Sequence, residues 1–245
     1  MPENILNSHP LPINKCAKNY QYFWKPIDKR LPIQPSALFC GSTNSGKTNF
    51  IISLLKDHYK DYFKVFIFSK NYFNDTIWRS NIRIDPKYIS TKFSEKKIEK
   101  IMNNQLKKKK ELLLTQKNLN RFQPALIILD DMIGDMGLTN RSTGFLEKVL
   151  CRNRHSNTHF WISTQYYRAI SKIIREQVAD SFMFYSTDQL SNKAICDENG
   201  GKEKGFAFYN HATAEPFQCF HVCNYGEKEF RFRMGLDRFL KFNEE

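Results

Sequence analysis

Short apolar runs recur along the chain, each bounded by polar or glycine-containing residues. Ala37-Leu38-Phe39-Cys40, the run over residues 64–69, Ala125-Leu126-Ile127-Ile128-Leu129, His159-Phe160-Trp161-Ile162 and Phe182-Met183-Phe184-Tyr185 all lack the in-out alternation of a half-solvated strand. Strands of that kind are covered on both faces, as in a parallel sheet packed between helices. The stretches between them carry helical patterns, at 50–55, 94–120, 145–150 and 171–180. In the longest, Ile98, Ile101, Met102, Gln105 and Leu112 mark one side, Ser94 suits the N-cap, and Glu95 suits the positive end. Strand and helix patterns thus alternate, which predicts a doubly wound α/β domain. Residues 71–91 read only as a polar connection dotted with aromatics.

The two ends of the chain read differently. Residues 1–35 hold six of the nine prolines, a density that predicts an extended arm with turns. Within it, Tyr20-Gln21-Tyr22-Phe23-Trp24 needs a surface to lie on, either the edge of its own sheet or a neighbouring subunit. The C-terminal third predicts a small antiparallel extension: strands at 205–209 and 216–222, and an edge strand at 230–233. The expected organisation is an arm over 1–35 and one domain over 36–245 that includes this extension. No internal repeat is visible.

Composition sharpens the picture modestly. At 245 residues and 41% hydrophobic content, the chain can bury a core without staples. A formal net charge of +13 attracts polyanions, nucleic acid first among them. Cys16, Cys40, Cys151, Cys196, Cys219 and Cys223 are scattered, which fits a reducing compartment better than a disulfide framework. Cys219-x-His221-x-Cys223 has its three side chains on one face of a strand, so a half-buried strand explains it more simply than a zinc site. No signal-peptide pattern and no membrane-spanning apolar run is present, so a cytosolic protein is expected.

The chemistry begins where the first strand ends. Gly41-Ser42-Thr43-Asn44-Ser45-Gly46-Lys47-Thr48 spells G-x-x-x-x-G-K-T between a predicted strand and a predicted helix. That context separates a phosphate-binding loop from a chance glycine-rich turn. Its small residues let backbone N–H groups surround phosphates at a helix N-terminus. Lys47 would reach the β/γ-phosphates, and the Thr48 hydroxyl would help hold Mg²⁺. Asp130 closes a later apolar run, the position expected of a Mg²⁺-supporting carboxylate. Asp131 should point elsewhere because side chains alternate along a strand, leaving it to orient or deprotonate an attacking water. A strand between the phosphate-loop and acidic strands, here assigned to Val65-Phe66-Ile67-Phe68, marks ATPases that carry their own catalytic acid. Gln165 ends the next strand, where it could sense the γ-phosphate or the water. Asn192-Lys193-Ala194-Ile195 lacks the aspartate of a guanine reader, which argues against a GTPase.

Taken with Cys151-Arg152-Asn153-Arg154-His155 leading to Ser163-Thr164-Gln165, these motifs resemble the FtsK–HerA superfamily. The pattern is most similar to its genome-packaging ATPases from large DNA viruses and virophages, over residues 37–185. The resemblance implies a RecA-like P-loop ATPase that binds ATP and Mg²⁺. It implies a homo-oligomeric ring that pumps double-stranded DNA into a preformed capsid, with a capsid or portal-vertex partner and no membrane. The site of action would be the host cytoplasm or the virion. Family roles fall on Lys47 and Thr48 for phosphate and Mg²⁺, Asp130 for Mg²⁺, Asp131 as catalytic acid and Gln165 as sensor. Arg152 or Arg154 would be the arginine delivered to a neighbour's ATP. Cellular relatives usually carry Glu where Asp131 stands. Two other readings share the phosphate loop: a small phosphotransferase such as a nucleotide kinase, and a slow nucleotide-gated assembly switch.

Overall fold

The computed structural model describes residues 36–59, 63–115, 122–132, 140–224 and 230–241, except for the side chains of 140–143 and 202. The expected arm over 1–35, with its aromatic cluster, lies outside these residues. Six strands run parallel: β1 (Ala37–Cys40), β2 (Lys64–Ser69), β3 (Ile89–Ser90), β4 (Ala125–Asp130), β5 (Thr158–Thr164) and β6 (Asp180–Phe184). Three more continue the same sheet antiparallel: β7 (Cys219–Cys223), β8 (Phe232–Met234) and β9 (Arg238–Phe239). Across the sheet the order is β3-β2-β4-β5-β1-β6-β7-β8-β9. The helices are α1 (Lys47–Leu54), α2 (Thr76–Asn81), α3 (Glu95–Leu114), α4 (Asn140–Ser156), α5 (Lys172–Gln177), α6 (Gln189–Glu198) and α7 (Lys202–Ala212).

Strand β4 shows why its sequence does not alternate. Ala125, Ile127 and Leu129 enter one core layer with Ile98, Leu146, Ile174, Ile195 and Phe208 from α3 to α7. Leu126 and Ile128 enter the opposite layer with Ile51 of α1 and Trp78 of α2. These five of the six β4 residues are fully buried, as a sheet covered on both faces requires. The predicted α3 cap is present: Ser94 Oγ accepts from the Lys97 N–H at 3.3 Å. Ile98, Ile101, Met102 and Gln105 are buried, while the helix ends at Leu114 and residues 116–120 lie outside the described part. Among the described residues no helix is long and apolar enough to cross a membrane, and the five described cysteines are free thiols.

Several expectations are corrected. Residues 205–209 are helical, within α7. Phe208, Tyr209 and Ala212 are buried on one face, whereas Phe206 is exposed, so the face follows helical and not strand periodicity. A Cβ on Gly205 would come within 2.3 Å of the Cys196 carbonyl oxygen, so α6 and α7 approach backbone to backbone where only glycine fits. Strand β7 is buried on both faces rather than half-buried. Strand β8 is not the edge, because β9 pairs outside it. The strand between the phosphate-loop strand and the acidic strand is β5; β2 intervenes only in sequence and pairs on the far side of β4. The polar connection at 71–91 contains α2 and β3, α2 being capped by Asp75, whose carboxylate accepts from the Ile77 N–H at 2.8 Å.

Candidate active site

The phosphate loop leaves β1 and is anchored to strands on either side. The Gly41 N–H donates to Thr164 O at 3.3 Å, on β5, and the Ser42 N–H donates to Tyr185 O at 3.0 Å, just past β6. A Cβ on Gly41 would sit 2.6 Å from Phe184 Cβ, so the close approach itself demands glycine. Asn44 and Gly46, at φ 62° and 100°, turn the chain into α1. Lys47 opens that helix, and its ammonium donates to Gly41 O at 2.7 Å and Ser42 O at 2.8 Å, spanning the loop. Burial draws its pKa down, and the negative charges of Asp131 and Asp130 oppose that pull.

The acids come from the end of β4. Asp130 Oδ2 accepts from the Trp78 indole N–H at 3.0 Å and from Ser69 Oγ at 3.3 Å. Burial pushes the Asp130 carboxyl up, while hydrogen bonds from Trp78, Ser163 and Ser69 favour its charged form and Asp131 adds to the rise. Asp131 does point elsewhere, but strand alternation is not the cause. Its backbone leaves the strand at φ 52°, in the left-handed region, and its N–H donates to Ser163 O at 3.2 Å. The turn presents Asp131 to Gln165, whose amide donates to Asp131 Oδ2 at 2.9 Å.

These side chains meet at a cavity of about 750 Å³, whose wall includes Thr43, Asn44, Ser45, Gly46, Lys47, Thr48, Asp130, Asp131 and Gln165. Gly41 and Ser42 hold the loop from beneath and take no part in the wall. The cavity lies at the carboxyl ends of the parallel strands, where open α/β sheets bind ligands. Arg152 and Arg154 lie toward the carboxyl end of α4, Arg154 in its last turn, before β5 enters at its amino end, and neither lines the cavity. Arg152 Nε donates to Lys148 O at 3.2 Å within its own helix. The Thr48 hydroxyl and the Asp130 carboxylate on this wall are hard oxygen donors, which suit Mg²⁺.

Other sequence candidates resolve as structure. Asn192 sits in α6, donating from its amide to Ser186 O at 2.8 Å and accepting from Tyr209 OH at 3.0 Å, so it is no guanine reader. His221 Nε2 lies 2.7 Å from Asp180 Oδ1, and no metal-binding cluster occurs among the described residues. Lys107, Lys108 and Lys110 are exposed, but Lys109 donates to His155 O at 3.2 Å and Asn157 Oδ1 at 3.3 Å. Arg233 is buried, its Nε donating to Phe230 O at 2.9 Å, and so adds nothing to the exposed basic surface.

A family model described as the poxvirus A32 protein matches residues 32–198. The chain belongs to the poxvirus A32 protein family. No curated protein matches this A32-family chain. Among solved structures, it is similar to the genome packaging NTPase B204 from Sulfolobus turreted icosahedral virus 2 in complex with AMPPCP. That match has 15% identity and a TM-score of 0.58, covering 85% of this chain and 99% of the other. The same NTPase in complex with ATP-gammaS matches at 16% identity and TM-score 0.54, over 84% of this chain and 98% of the other. ATPases 2 and 3 of EssC from Geobacillus thermodenitrificans match at 10% identity and TM-score 0.56, over 86% of this chain and 41% of theirs. At such identities the likeness establishes the fold, an α/β P-loop ATPase fold with a mostly parallel sheet.

Trp78, Tyr166 and Phe217 are among the contributors to the site of the A32-family chain that escaped the sequence reading. Trp78 sits in the stretch taken for a connection; Asp75, with its capping carboxylate, was the available sign of a helix there. Tyr166 follows Gln165 and lines the cavity. Phe217 also lines it, from a residue taken for part of a strand.

Proposed function

We propose that the chain is a Mg²⁺-dependent ATPase that drives double-stranded DNA, packaging a viral genome into a preformed capsid as a homo-oligomeric ring. The observation that carries this reading is the convergence of Lys47, Thr48, Asp130, Asp131 and Gln165 on one cavity. The likeness to B204, a genome packaging NTPase seen in complex with AMPPCP and with ATP-gammaS, supports it.

In this reading the backbone N–H groups of the loop and Lys47 bind the phosphates at the start of α1. Thr48 and Asp130 would hold Mg²⁺, which when bound would neutralise charge on the β- and γ-phosphate oxygens. Trp78 and Ser69 hold Oδ2 of Asp130 in place. Asp131 takes a proton from the attacking water, and the Gln165 amide fixes the orientation of the carboxylate that does so. Arg152 or Arg154, at the far end of β5, is offered to a neighbour's nucleotide. Exposed lysines of α3 and the +13 charge supply attraction to DNA phosphates. A capsid or portal-vertex surface completes the assembly, at the capsid in the host cytoplasm.

The test is ATP hydrolysis measured with and without duplex DNA, and with a small phosphate acceptor. DNA should accelerate turnover and Lys47→Ala should abolish it. Phosphate transfer to the acceptor, with no response to DNA, would make the chain a phosphotransferase and overturn the proposal.

A further inference from the structure

Resting on the nucleotide site above, we propose that Phe217 is the surface on which the nucleobase stacks. It occupies the turn between α7 and β7 and is 68% exposed, so most of the side chain is open to solvent. It belongs to neither core layer. Its backbone is left-handed, at φ 67°, a region that bulky side chains rarely enter. Strain of this type persists where the surroundings impose it, and it clusters at ligand sites.

The turn directs the ring onto the phosphate loop. A Cβ built on Gly46 would come within 3.0 Å of Phe217 Cδ1, and Phe217 shares the cavity wall with Lys47, Thr48 and Asn49. Gly46 therefore has two reasons to be glycine, its φ of 100° and the ring above it.

Sheet order decides which part of the nucleotide meets this ring. Strands β4 and β5, which carry the two acids and lead to Gln165, lie on one side of β1, while β6 and β7 lie on the other. With the γ-phosphate toward the acids, the phosphate chain crosses the loop above β1. Sugar and base then emerge on the β6–β7 side, where Phe217 leads into β7. The other exposed ring on the wall, Tyr166, directly follows Gln165 and so stands at the acid end. A phenyl face attracts the π-face of any base, so stacking adds affinity without choosing between adenine and guanine.

Binding of ATP, GTP and inorganic tripolyphosphate to the full chain, by calorimetry, tests this. Tripolyphosphate offers the phosphates without a base. Phe217→Ala should weaken ATP and GTP alike, by roughly 5- to 150-fold, and leave tripolyphosphate unchanged. Phe217→Trp should retain nucleotide affinity, and its added indole emission, read against wild type, should respond to ATP and not to tripolyphosphate. Because the ring lies outside the core, these changes spare folding, which circular dichroism checks. Unchanged ATP affinity in Phe217→Ala, or an equal loss for tripolyphosphate, would overturn the stacking role. Failure of the wild-type chain to bind either ligand would instead remove the nucleotide reading, and the stacking site with it.

Discussion

His159, at the amino end of β5, makes a measurable link between burial and pH. Its ring is 4% exposed, stands edge-on to Phe63 at 5.3 Å, and its Nδ1 has no hydrogen-bond partner among the described residues. Burial pulls its pKa from 6.5 to about 3. The folded chain therefore refuses a proton that the unfolded chain accepts, and stability rises with pH across that window. The contribution is complete above the ordinary value of 6.5 and is lost progressively as pH falls toward 3. At pH about 5, roughly 1.5 pH units below the ordinary value, the loss is about 2 kcal/mol. Against a typical domain stability of about 5–15 kcal/mol, that is a large share. Urea unfolding of wild type and His159→Phe, from about pH 7 to about pH 5, isolates it, because every other titrating group is common to both proteins. The variant should escape most of the loss that wild type suffers. Parallel losses in the two proteins would refute the assignment to His159.

Four further outcomes are expected. Asp131→Asn should retain ATP binding and lose hydrolysis, and near-normal turnover in that variant would displace Asp131 as the acid. Trp78→Phe removes a hydrogen bond to a carboxylate, a class that contributes about 1.5–3 kcal/mol, so half-maximal Mg²⁺ activation should move at least roughly tenfold higher. An unchanged Mg²⁺ titration would show the indole contact to be idle. DNA binding should be indifferent to sequence and weaken steeply with salt, as counterion release requires, so salt-independent binding counts against phosphate recognition. Mixing a Lys47→Ala chain with an Arg152→Ala/Arg154→Ala chain should recover some ATPase if an arginine acts in trans; no recovery in a proven mixed ring would defeat that role.

The parts of the site that were legible from sequence obey local rules. Gly41, Gly46 and Lys47 are set by one loop, and Asp130 by the end of an uninterrupted apolar strand. What failed depends on distant contacts. The aromatic alternation around Phe206 and Phe208 suggests a strand until α6 offers Cys196 as a packing surface for Gly205. The place of Val65-Phe66-Ile67-Phe68 could not be inferred, since two strands were available to sit beside β1 and chain order does not determine sheet order. Trp78 reaches Asp130 across 52 residues of sequence, and nothing in the neighbourhood of either announces the other. Asp131 reached its expected freedom through a left-handed backbone that only geometry discloses.

The two ends of the sheet have a consequence for how copies can meet. Each terminates in a two-residue strand, Ile89–Ser90 at one margin and Arg238–Phe239 at the other. So little unpaired main chain gives a neighbouring strand almost nothing to zip onto, and Arg238 adds like-charge repulsion between identical margins. A nine-stranded sheet with long bare margins would invite fibrous stacking. Among the described residues the taper leaves both margins poorly suited to strand addition, which favours contact between copies through side-chain surfaces.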